Sequence, residues 1–159
     1  MRTFLTSALL GLAFLIGAIQ FANPARINPP TVETRTLAAA VQVPPAIKSI
    51  LVRACWDCHS DDTVWPWYAH VSPISWYVVN HVDHGRRQVN FSEWLGPNVA
   101  DPVQYSRQKL HSVCREVQLG HMPLYSYVII HRTAALSPDD VQALCSWAEN
   151  AISSSSTKR

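Results

Sequence analysis

The sequence predicts an all-α domain, and three observations carry that expectation. Apolar residues recur with helical period in four separate stretches, and no stretch alternates with period two for long enough to make a strand. Apolar residues make up 48% of the chain against 15% charged, which is sufficient for one core and too apolar for a wholly disordered chain. The 159 residues fit one small domain with accessories. The formal net charge of +2 is scattered, with no basic cluster larger than Arg86-Arg87, so no nucleic-acid partner is expected.

Taken in order, residues 4–21, FLTSALLGLAFLIGAIQF, follow Arg2 and are apolar apart from Thr6, Ser7 and Gln20, as in an export signal. As a helix they reach about 27 Å, close to the roughly 30 Å of a hydrocarbon core. No clean A-x-A cleavage site follows, so residues 1–22 read as an uncleaved membrane anchor, with a cleaved signal peptide as the alternative. The remainder is then expected on the periplasmic side of the inner membrane, anchored there, or soluble in the periplasm after cleavage. That compartment permits disulfides.

Residues 23–45 carry five prolines and no sustained period, and read as a tether or a strap lying on the domain. The domain proper is expected over 46–151. Its first helix starts at Pro44-Pro45, presents Ile47, Ile50, Leu51 and Ala54, and runs into Cys55. A second is expected from Ser72-Pro73 to His84, ended by Gly85, with Ile74, Tyr77, Val78 and His81 or Val82 on one face. A third covers 101–119 with Leu110, Val113, Cys114 and Val117 inward. The fourth opens on Ser137-Pro138-Asp139-Asp140, a cap followed by proline and acids, and presents Val141, Leu144, Cys145 and Ala148. Residues 152–159 read as a disordered tail.

The chemistry is concentrated in Ala54-Cys55-Trp56-Asp57-Cys58-His59-Ser60. A C-x-x-C-H run matches covalent attachment of a c-type haem: two thiols add to the two vinyl groups, and the next imidazole lies under the iron. Cys55, Cys58 and His59 take those roles. A structural zinc wants four ligands, and Cys114 and Cys145 are isolated and 31 apart. A thioredoxin-type pair belongs at a helix N-terminus in a βαβ unit, whereas this motif follows a helix. A plain structural disulfide is the third rival.

A haem iron also wants a sixth ligand. Met122 sits in Gly120-His121-Met122-Pro123, 63 residues after His59, in a loop shaped by glycine and proline. A lone Met is ordinarily core filler, but downstream of C-x-x-C-H it is the favoured distal ligand. The competitors are His121, His131, His81 and His84, or an open site.

These residues, with TVWPWYAHVSPISW, GRRQVNFSEW, VQLGHMPLY and HRTAALS following in order, closely resemble the bacterial haem-binding domain family of exported, single-haem c-type cytochromes. The likeness covers about residues 27–150. It implies one covalent haem c on a small cytochrome-c-like fold, with Cys55 and Cys58 as attachment residues, His59 proximal and Met122 distal. Ala69 and Arg132 depart from the pattern, and neither touches the haem assignment.

Around the motif, Trp65, Trp67, Tyr68 and Trp76 form an aromatic block that either walls the haem and bonds its propionates or packs the core. Arg86 and Arg87 could pair with propionates, although solvated surface charge is the favoured reading. Cys114 and Cys145 lie on apolar stripes and are expected to bridge the third and fourth helices, the alternative being two buried thiols. The expected function is a one-electron carrier serving redox partner proteins, since no nucleophile, acid pair or phosphate loop accompanies the motif. The alternatives are a gas sensor or peroxidase-like enzyme with an open sixth site, or a haem-bearing interaction module of a respiratory complex.

Overall fold

The computed structural model describes residues 1–156, and those residues are helical with no strand among them. Helix α1, Arg2–Ile19, buries no residue and continues into a 3-10 turn, Gln20–Ala22. Arg2–Ala22 is long and apolar enough, by length and composition, to cross a membrane.

From Asn23 the chain crosses the domain surface as a strap with its own short helix α2, Leu37–Ala40, capped by Thr36 accepting from the Ala39 N–H. Leu37 and Val41 are buried in the main core, and the Leu37 N–H donates to the Phe91 carbonyl at 2.8 Å. The strap's Leu37 and Val41 therefore pack in one core with the helices that follow.

Helix α3, Pro45–Ala54, buries Ile47, Ile50, Leu51 and Ala54, the stripe read from its spacing. It stops at Cys55, which opens the single turn α4, Trp56–His59. Helix α5 spans Ile74–Gln88, α6 Pro102–Gln118, α7 Tyr125–Val128 and α8 Pro138–Ser156. Asp101 caps α6 by accepting from the Val103 and Gln104 N–H groups, both at 3.0 Å. Ser137 and Asp140 cap α8 reciprocally: the Asp140 N–H donates to Ser137 Oγ, and the Ser137 N–H donates to the Asp140 carboxylate.

Helices α6 and α8 make the most extensive helix pair, joined by a disulfide between Cys114 and Cys145 with Cα atoms 5.0 Å apart. Leu110, Val117, Leu144, Trp147 and Ala148 meet the strap's Leu37 and α3's Leu51 in one core with Phe91 and Trp94.

Three expectations change. Gly85 does not end α5, which runs one turn further to Gln88; the glycine is a contact point, described below. The buried face of α5 is Ser75, Val79, Val82 and Gly85, while Ile74 and Tyr77 are exposed. Of the face expected from the period only Val82 is buried, because this helix carries apolar residues on two sides. The tail expected from 152 is helical as far as Ser156; Thr157 to Arg159 lie outside the described residues.

Candidate functional site

The site is built where α3 ends. Cys55 and Cys58 are free thiols held in the α4 turn, with the Cys58 and His59 N–H groups both donating to the Cys55 carbonyl. Burial pushes Cys55 up to about 12 and Cys58 up to about 11, the former further raised by Cys58 and the latter by Asp57. These are protonated thiols rather than the activated thiolates of a redox pair. Because Cys114 and Cys145 are bonded to each other, they cannot complete a four-ligand zinc set with Cys55 and Cys58.

The His59 ring is fixed from behind. Its Nδ1 lies 3.1 Å from the Gly85 carbonyl and 3.0 Å from the Val89 carbonyl. Carbonyls only accept, so the proton of the neutral ring sits on Nδ1 and the lone pair on Nε2. Burial holds the imidazole below its ordinary pKa, favouring that neutral form. A donor bond from the far nitrogen to a backbone carbonyl is the usual support of a metal-binding histidine. Gly85 makes the approach feasible: a Cβ there would lie 2.5 Å from the Cys58 carbonyl oxygen.

Asp57, between the two cysteines, organises the far side of the turn. Its carboxylate accepts from the Val64 N–H at 3.1 Å and the Tyr127 hydroxyl at 2.7 Å, and its carbonyl accepts from Thr63 Oγ1 at 2.6 Å. The Tyr127 ring stacks on His131 at 4.2 Å, and His131 Nε2 shares a 2.7 Å hydrogen bond with the Tyr68 hydroxyl. Burial and the neighbouring Asp57 raise both tyrosine pKa values. This network ties the cysteine turn to α7, which follows Met122 closely.

Arg86 is a clamp. Its guanidinium donates to the Ser60 carbonyl at 2.8 Å, the Ile27 carbonyl at 2.7 Å, Asn28 Oδ1 at 3.0 Å and Thr63 Oγ1 at 2.9 Å, and it lies 3.6 Å from the buried Asp61 carboxylate. The solvated reading therefore holds only for Arg87, which is exposed. Adjacent residues on a helix point about 100° apart, so one of the pair faces inward.

A family model described as a haem-binding domain matches residues 14–150. The chain belongs to the haem-binding domain family. This bears out the resemblance carried by the motifs, and haem is the cofactor of the domain. No curated protein and no solved structure matches the chain.

The residues of this haem-binding domain fit that group: two protonated thiols three apart, an imidazole with Nε2 unspent, and a glycine where backbone must pack tightly behind them. Met122 is half-buried in the α6–α7 loop and packs against the core. Gly120 shapes the loop with a φ of 69°, and the His121 and Met122 N–H groups fold back on the Glu116 carbonyl. Of the competing histidines, His121 is exposed with Nδ1 2.9 Å from Glu116, His81 Nδ1 faces the Tyr77 carbonyl at 2.8 Å, and His131 Nε2 is taken by Tyr68. His84 is exposed.

The residues of the aromatic block have separate partners. Trp65 Nε1 donates to Asn28 of the strap at 3.1 Å and Trp76 Nε1 to the Ala22 carbonyl at 2.7 Å, while Trp67 is 77% exposed and meets Tyr68 edge-on. Trp65, Trp76 and Tyr68 thus spend their polar atoms on the protein itself. Sequence reasoning missed Asp57 and Tyr127, which bond across 70 residues; no local pattern announces such a pair.

Proposed function

We propose that this haem-binding domain is a c-type cytochrome acting as a one-electron carrier outside the cytoplasm, with haem attached through Cys55 and Cys58 and its iron held by His59 and Met122. The observation that carries the reading is the His59 ring, oriented by two backbone carbonyls with Nε2 free, one residue after the second of two unbridged cysteines. Bound there, the haem supplies a ferrous–ferric couple.

The protein's part is positional. Gly85 and Val89 fix the proximal imidazole, Asp57 and Arg86 fix the turn that presents the thiols, and the bridge between α6 and α8 steadies the helices on either side of the Met122 loop. Met122 is supported by its loop geometry and by the engagement or exposure of the rival histidines. Were His59 and Met122 both to hold the iron, no coordination site would be left for a substrate, which favours a carrier over a peroxidase or gas sensor. Helix α1 serves in this account as a membrane tether, placing the carrier beside redox partner proteins at the outer face of the inner membrane.

The test is to co-express the full chain with haem-attachment machinery and ask whether haem survives denaturation on the polypeptide. Covalent haem is expected in the native sequence and lost when Cys55→Ser and Cys58→Ser are combined. Voltammetry of the holoprotein should give one reversible one-electron wave without peroxide turnover. Haem that washes out of the native chain, or rapid peroxide consumption, would overturn the proposal.

A further inference from the structure

We propose that the domain lies against the bilayer that α1 enters, presenting the start of α5 and the turn before it to lipid at headgroup level. The inference rests on the membrane-tether reading of α1 and is independent of the haem ligands.

The exit of α1 is docked rather than hung on the strap. Gln20 exchanges two hydrogen bonds with Ser72: its Nε2 donates to the Ser72 carbonyl at 3.1 Å, and its Oε1 accepts from the Ser72 N–H at 2.9 Å. The Ser72 hydroxyl, itself buried, donates to Asn23 Oδ1 at 2.8 Å, and Trp76 Nε1 donates to the Ala22 carbonyl at 2.7 Å. One turn along the strap, Arg26 Nη1 donates to the Ala69 carbonyl at 3.2 Å. A cut inside this segment would sever bonds that the folded domain uses, which is a structural reason for α1 to stay attached.

This docking sets a depth. The 18 residues of α1 extend about 27 Å, nearly the thickness of a hydrocarbon core, so Gln20 comes out at its boundary. Ser72 is bonded to Gln20 and comes out at the same level. Around that point Phe21, Val71, Ile74 and Trp76 are exposed, whereas α5 turns Ser75 and Val79 inward. Residues 3–25 and 63–82 are the two longest stretches of the chain without Asp, Glu, Lys or Arg, and these two stretches meet here. Tryptophan beside apolar side chains at the end of a spanning helix suits a membrane–water interface. The outward apolar side of α5, which the domain core leaves unused, thereby acquires a partner.

The experiment reconstitutes the full-length holoprotein in nanodiscs containing a phospholipid with a photoreactive group near the glycerol backbone, and maps adducts by mass spectrometry. The expected result is adducts at Phe21 and within residues 71–76, with those at 71–76 falling severalfold when Gln20→Ala and Asn23→Ala are combined while those in α1 persist. Adducts confined to residues 1–22, or adducts at 71–76 indifferent to the two substitutions, would overturn the docking. A chain that acquires no adducts and stays out of the discs would instead remove the tether reading beneath it, leaving the haem assignment untouched.

Discussion

The His59 ring is oriented by residues outside the C-x-x-C-H motif. The carbonyls of Gly85 and Val89 set its tautomer, and the missing Cβ of Gly85 lets α5 approach the Cys58 backbone closely enough to supply the first of them. Gly85→Ala should therefore push α5 away, costing about 1–3 kcal/mol in denaturant unfolding, and should lower the yield of attached haem. Tyr127→Phe removes one of the two donors to the Asp57 carboxylate and should cost about 1–2 kcal/mol because a partly buried oxygen loses its partner; unchanged stability would mean that the network is ornamental. Cys55, Cys58 and His59 were legible in the sequence because contiguous spacing fixes their geometry. The bond between Asp57 and Tyr127 and the inward turn of Arg86 were not, since those partners lie 23 to 70 residues away.

The helices were legible wherever one face is apolar and the ends carry caps. α3, α6 and α8 present the stripes their spacing predicts, each starting on a proline, with side-chain caps on α6 and α8. α5 was legible in existence and not in facing, because small residues, Ser75 and Gly85, make its packed side. The bridge between α6 and α8 closes a loop of about 30 residues, and replacing both Cys114 and Cys145 by serine should cost about 3–4 kcal/mol by chain-entropy reasoning, measured with the holoprotein. At the start of α8, hydrogen bonds from Arg53 and the Ser137 N–H hold Asp140 down at about 2, against an ordinary 3.8. A carboxylate whose folded pKa is depressed stabilises the fold above its unfolded pKa and ceases to as pH falls through the folded one. The Tm difference between the native chain and Asp140→Asn should accordingly be full at pH 6, shrink below about pH 4, and vanish only below about pH 2.

At the scale of the molecule, the strap, the cysteine turn and α5 are one unit joined by Arg86. Arg86→Met would leave the Asp61 carboxylate buried without its cation and release the strap at Ile27 and Asn28; a loss of about 3–5 kcal/mol is expected. A loss near zero would show that the clamp is dispensable. Residues 23–45 were legible only as a tether or a strap, because prolines and missing periodicity conceal that Leu37 and Val41 enter the core. In the proposed reading this unit and the α6–α7 loop together hold a haem iron through His59 and Met122. The decisive measurement is the optical spectrum of the oxidised and reduced holoprotein, with and without CO and beside Met122→Ala. A low-spin spectrum unresponsive to CO is expected, with a far-red sulfur-to-iron band that disappears in the variant; a high-spin or CO-binding spectrum indifferent to Met122 would refute the ligation.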